Sequence, residues 1–190
     1  ATRKAAVAHA NCHPFKGGHL LFMHNGYVPA FHRLKRRLVN MLREDLFQGL
    51  QGTTDSEHAF ALLLNHLDGT SGPFEPDQLK EAMRATVALL SRWTEEMALE
   101  VGCNLNFALS DGHTLLATRY SSRAHPPSLY CATGVSARLE GGHLRLQPGP
   151  TRVVILGSEP LSRFPEEWRP VDPNRLIVVH PDLSLEEEAL

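Results

Sequence analysis

The period of the apolar pattern changes once along this chain, near Gly102, and that change limits the folds open to it. Over residues 29–97 apolar side chains recur at helical spacing, and beyond Gly102 they alternate or cluster in the short runs typical of strands. A block of helices followed by a block of strands calls for antiparallel sheet with the helices segregated from it, an α+β arrangement. It argues against the strand–helix alternation of a doubly wound parallel sheet.

Within the first block, Pro29 suits the opening turn of a helix whose face of Phe31, Leu34, Leu38, Met41, Leu42 and Leu46 runs on to Gly49. Thr54-Asp55-Ser56-Glu57 has the form of a capping box ahead of Phe60, Leu63, Leu64 and Leu67. A third helix opens at Pro76-Asp77, carries Leu79, Met83, Val87, Leu90 and Met97, and closes at Gly102. Before these helices, residues 20–23 read as a short buried strand ending in a turn at His24-Asn25-Gly26. After them come a hairpin through Asp111-Gly112, a second through Gly141-Gly142, and buried runs over 153–156 and 176–179. The acidic end, Glu186-Glu187-Glu188, reads as a solvated tail, so the expected domain is 1–182 and the tail 183–190.

Composition removes several classes of function. A chain of 190 residues with 42% hydrophobic content can build one core without disulfides. Nineteen Lys and Arg against 21 Asp and Glu give a formal charge of -2, so a nucleic-acid partner held by phosphate contacts is not expected. Arg33, Lys35, Arg36 and Arg37 are interleaved with Leu34 and Leu38 and read as a solvated helix face. No apolar run approaches the ~18 residues of a membrane span, and Ala-Thr-Arg-Lys is no signal peptide, so no membrane partner is expected. Three cysteines without a Cys-x-x-Cys pair suit a reducing, cytoplasmic setting. The 11 histidines include His9 and His13 four apart, yet no metal-site motif is present, and neither metal nor cofactor is expected.

Two places concentrate polar groups where an element begins or ends. Asn25-Gly26 can offer a side-chain amide and a backbone N–H side by side, the pair of donors an oxyanion hole needs, although Asn-Gly is also the commonest hairpin turn. Asp55 stands in the first turn of a helix, where a carboxylate is favoured as a cap and can also meet a ligand's ammonium group.

Taken together, Thr2, Asn11-Cys12-His13-Pro14-Phe15, Phe22-Met23-His24-Asn25-Gly26 and Thr54-Asp55-Ser56-Glu57 resemble, in order and spacing, the glutaminase domain of class II glutamine amidotransferases, which are N-terminal-nucleophile hydrolases. Asn104-Leu105-Asn106-Phe107, Ser110-Asp111-Gly112, Ser158-Glu159-Pro160-Leu161 and Trp168-Arg169-Pro170-Val171 are similar to its small stand-alone branch, which includes a fungal glutathione-degrading subunit and a bacterial ergothioneine-pathway γ-glutamyl hydrolase.

The resemblance implies a four-layer αββα sandwich, here truncated at the N-terminus, and hydrolysis of glutamine or a γ-glutamyl peptide such as glutathione. It implies Asn25 and Gly26 as oxyanion donors, Asp55 on the substrate's α-ammonium, and Thr2 on its α-carboxylate. His13 and His24 would form the pocket wall and orient backbone around the oxyanion site. Family members use an N-terminal cysteine as nucleophile. No cysteine here takes that place: Cys12, Cys103 and Cys131 read as buried small apolar residues. The chain alone is therefore expected to be inactive. A partner subunit supplying the rest, or a glutamyl-binding scaffold without catalysis, is the alternative reading.

Overall fold

Two antiparallel sheets stack face to face, and helices cover the far side of the larger one. The computed structural model of the chain describes residues 7–67, 69–70, 72–97, 100–123, 125–141, 143–147 and 153–190. Strands β1 (Phe15–Gly17) and β2 (Leu20–Tyr27) are followed by helices α1 (Phe31–Val39), α2 (Glu44–Gly49), α3 (Asp55–Asn65) and α4 (Pro76–Glu96). Then come β3 (Asn104–Ser110), β4 (Leu115–Arg119), β5 (Tyr130–Glu140), β6 (His143–Gln147), β7 (Val153–Gly157), β8 (Arg169–Pro170), β9 (Arg175–Val179) and β10 (Leu185–Ala189). The larger sheet runs β1-β2-β3-β4-β9-β10, and the smaller β6-β5-β7 with β8 also on β5.

The strand period of two decides which residues reach which core. Leu20 and Phe22 of β2, with Leu105, Phe107 and Leu109 of β3, point toward the helices and are buried. Phe22 stacks on Phe60 of α3 with ring centroids 5.1 Å apart. On the opposite face Ala117, Ile177 and Val179 pack against Cys131, Leu129 and Val171 to form the layer between the sheets. A third cluster, Ala132, Leu146 and Trp168, lies on the outer face of the smaller sheet. The described residues thus form a helix layer and both sheets of the expected α+β sandwich.

The expected helix over 29–49 is in fact two. Its break at 40–43 is held by the end of α3: Asn65 Oδ1 accepts the Arg43 N–H at 2.8 Å, Asn65 Nδ2 donates to Met41 O at 3.2 Å, and the Arg43 guanidinium donates to Leu67 O at 2.9 Å. With the further bonds from the Arg43 guanidinium to Leu64 O and Asn65 O at 3.3 and 3.4 Å, they satisfy the carbonyls at the end of α3 and the amide of the break together, which the apolar periodicity of the first helix does not reveal.

The expected turn at His24-Asn25-Gly26 is also absent. Strand β2 continues through it, with His24 opposite Phe107, Asn25 opposite Asn106 and Gly26 opposite Leu105. The partner strand lies some eighty residues further on, so the local Asn-Gly signal has no access to it.

The C-terminal residues are not a solvated tail. Residues 185–189 pair with β9 as the edge of the larger sheet. Alternation sends Glu186 and Glu188 toward α4, where Lys80 meets them at 3.4 and 3.1 Å and Arg84 pairs with Glu188. Glu187 meets Arg169 at 2.8 Å. An acidic run of this kind is compatible with a strand because each carboxylate finds a cation on its own side.

Candidate functional site

Helix α3 begins under the end of β2, and the site is built at that junction. Thr54 is the N-cap, its hydroxyl accepting the Glu57 N–H at 3.1 Å. Glu57 does not complete the expected capping box. Its carboxylate turns back to the Gln51 and Gly52 N–H groups at 2.7–2.9 Å, bracing the loop that enters the helix. Asn11 joins the same loop, accepting the Thr53 N–H at 2.9 Å.

Asp55, only 2% exposed, accepts the Val28 N–H through Oδ2 at 2.8 Å and the Ser56 N–H through Oδ1 at 3.0 Å. The first carboxylate of α3 is therefore tied to the residue two beyond Gly26. Asn25 projects to the other face of β2, into a cavity of about 270 Å³ between the sheets that is also lined by His13, Asn106, Leu156 and Ser158. A Cβ on Gly26 would stand 2.0 Å from Asn104 O and 2.8 Å from His24 Nε2, so the strand passes here only as glycine.

His24 points inward. Its Nε2 lies 3.0 Å from Asn104 O and its Nδ1 3.0 Å from Ser56 Oγ. A carbonyl only accepts, so the proton is on Nε2 and Nδ1 accepts from the Ser56 hydroxyl. The His24 backbone N–H donates to His13 Nε2 at 3.3 Å, and the His13 ring stands edge-on to Phe15. Burial pushes the pKa of both imidazoles down, more than the Asn104 contact and the Asp55 charge raise that of His24. The lowered values favour the neutral form of both rings, the form in which His24 Nδ1 and His13 Nε2 can accept.

Asn25, Gly26, Asp55, His13 and His24 thus meet around one strand end and one helix start, while Thr2 lies outside the described residues. Sequence reasoning missed Ser56, Asn104 and Asn106, although all three stand inside the motifs quoted for the resemblance. Asn106, opposite Asn25, donates to Pro127 O and Ser128 O at 3.0 and 3.2 Å and holds that loop at the cavity's rim. Cys103 and Cys131 are buried as expected, and burial raises both thiols. Cys12 is exposed instead, because the short turn that carries it runs over the surface with its thiol 3.6 Å from Ala8 O. Among the described residues no three His, Cys, Asp or Glu side chains gather as a metal site, and no helix is long and apolar enough to cross a membrane.

Comparison with known proteins places the chain in a family. The family model described as glutamine amidotransferases class-II matches residues 1–185. The Saccharomyces cerevisiae protein named "Probable glutamine amidotransferase DUG3" is 32% identical over 201 residues, covering 94% of this chain and 55% of the yeast protein. The chain therefore spans about half of that relative's length. A solved class-II glutamine aminotransferase domain protein from Silicibacter pomeroyi is 26% identical and covers 96% of this chain and 72% of its own, with a TM-score of 0.72. The glutamine phosphoribosylpyrophosphate amidotransferase of B. subtilis shares the fold, with a TM-score of 0.58 at 16% identity over 97% of this chain and 33% of its own. With a family match across nearly the whole chain, and with the motif residues drawn to one junction, the chain belongs to the class II glutamine amidotransferases.

Proposed function

We propose that the protein containing this chain hydrolyses γ-glutamyl amides, with glutamine and γ-glutamyl peptides such as glutathione as the candidate substrates. The observation that carries this reading is the bond from Val28 N–H to Asp55 Oδ2 at 2.8 Å, which sets an anionic helix start beside the Asn25-Gly26 donors. Asp55 pairs with the substrate's α-ammonium, and Thr2 helps hold its α-carboxylate. A thiolate attacks the γ-carbonyl, and the Asn25 amide and Gly26 N–H stabilise the oxyanion that forms. Collapse expels ammonia or an amine and leaves a γ-glutamyl thioester, which water cleaves to glutamate and the thiol.

None of Cys12, Cys103 and Cys131 lines the cavity that holds Asn25. We therefore assign the nucleophile to an N-terminal cysteine outside these 190 residues. The three free cysteines support a reducing, cytoplasmic setting. The same absence of a thiol from the cavity favours, as a second reading, a module that binds the glutamyl group without turning it over, alone or beside a partner subunit.

The test is release of ammonia or glutamate by the full-length protein from glutamine, glutathione and other γ-glutamyl amides. Turnover lost in Asn25→Ala is the expected result. Glutamate binding with no turnover of any such amide would establish the binding-module reading, and neither binding nor turnover would overturn both.

A further inference from the structure

We infer that Ser56 is a positioning residue that couples the glutamyl-binding end of α3 to the oxyanion donors of β2, acting through the imidazole of His24; this rests on the γ-glutamyl hydrolase reading above. Ser56 is 5% exposed and is not among the residues lining the cavity, so it acts through another group. Nor does capping explain it. Thr54 already caps α3, and alanine would be the better helix former at the second position of the helix. The hydroxyl is used across the junction, on His24 Nδ1 at 3.0 Å.

That contact determines the next one. With Nδ1 held as acceptor, the proton stays on Nε2 and is donated to Asn104 O. The same carbonyl and the same Nε2 form the wall behind Gly26: a Cβ there would strike the Asn104 oxygen at 2.0 Å and the ring nitrogen at 2.8 Å. Ser56 therefore orients the ring, the ring holds the carbonyl, and the carbonyl sets how close the backbone of Gly26 lies to β3. On the other side of the dipeptide, Val28 is bonded to Asp55. The oxyanion donors are suspended between two anchors, and both anchors sit on consecutive residues of one helical turn. The group that would bind the substrate's ammonium and the groups that would meet its developing oxyanion move as one body. A small misplacement of such donors costs far more in the transition state than in the ground state.

The test is steady-state kinetics of the full-length protein with Ser56→Ala, His24→Gln and the double variant, beside the nitrogen-15 spectrum of the His24 ring in the parent. Glutamine can place its amide NH2 where Nε2 donates to Asn104 O, and it has no atom at the Nδ1 position that faces Ser56. The expected result is a fall in kcat of about 10- to 100-fold in Ser56→Ala with KM within about twofold, and a double variant no worse than His24→Gln alone. The parent's ring should carry its proton on Nε2. Parental kcat in Ser56→Ala, a rise in KM that accounts for the loss, multiplying effects in the double variant, or a proton on Nδ1 would each overturn the inference while leaving the hydrolase reading intact. A parent that turns over no γ-glutamyl amide removes the hydrolase reading and this inference with it. The spectrum of the parent keeps the test decisive even where a variant does not fold.

Discussion

Asp55 accepts a hydrogen bond from the backbone of Val28 across 27 residues of sequence, at 2.8 Å and in a buried position. One carboxylate thereby serves both the fold, by holding β2 to the start of α3, and the proposed recognition of an ammonium group. The two services can be separated by substitution. Asp55→Asn keeps one acceptor oxygen for the Val28 N–H, loses the one facing the Ser56 N–H and removes the charge, so it should weaken glutamate or glutamine binding by about 10-fold or more at a smaller cost in stability than alanine. Asp55→Ala leaves two buried N–H groups without this partner and should also cost about 1–3 kcal/mol. Calorimetric titration and urea unfolding of the two variants check this, and unchanged affinity in Asp55→Asn would remove Asp55 from the binding site.

Gly26→Ala should be disruptive in a different way. The added methyl meets backbone oxygen at 2.0 Å, not a side chain that could rotate away. Strands β2 and β3 would have to part, at a cost of about 1–3 kcal/mol or more. A melting temperature and amide exchange rates equal to the parent's would refute the close approach.

His13, His24, His58 and His66 are all held below the ordinary imidazole value, with burial the largest cause in each case. The folded protein keeps them neutral while the unfolded chain takes up protons below about pH 6.5, so stability should fall as pH drops through that value. His58 is the cleanest probe: its Nδ1 donates to Thr54 O at 2.8 Å and its Nε2 is buried without a hydrogen-bond partner among the described residues. His58→Asn retains a donor for Thr54 and removes the titration. The difference in unfolding free energy between pH 7.5 and 5.5 should narrow in this variant, and an unchanged difference would assign the effect to the other histidines.

A second acid transition should come from the last strand. Glu188 is held down to about 2, first by its hydrogen bond with the Glu186 carboxyl and then by Arg84 and Lys80. A lowered carboxylate contributes stability above its unfolded value near 4.5 and loses it as pH falls toward 2. Thermal melts from pH 6 to pH 3 should show this loss in the parent and a shallower one in Glu188→Gln. High salt should reduce it too, because these pairs are partly exposed.

What the sequence determined by itself was whatever depends on neighbours in the chain. The period change near Gly102 separated helices from strands, Thr54 marked the start of α3, and Asp111-Gly112 marked the β3–β4 turn, whose Asp111 accepts the His113 and Thr114 N–H groups. The quoted motifs also named the family and drew attention to Asn25, Gly26, Asp55, His13 and His24.

Tertiary structure alone decided the rest, because each deciding partner lies far away in sequence. Asn25-Gly26 is strand and not turn because β3 pairs with it. The helix after Pro29 breaks because Asn65 supplies the hydrogen bonds that the break needs. Glu186, Glu187 and Glu188 form an edge strand because Lys80, Arg84 and Arg169 stand opposite them. Ser56 looks in the sequence like one more polar residue at a helix start. Only the fold places a buried imidazole 3.0 Å from its hydroxyl, and a buried hydrogen bond of that kind, made where water cannot substitute, turns a helix start into part of a site.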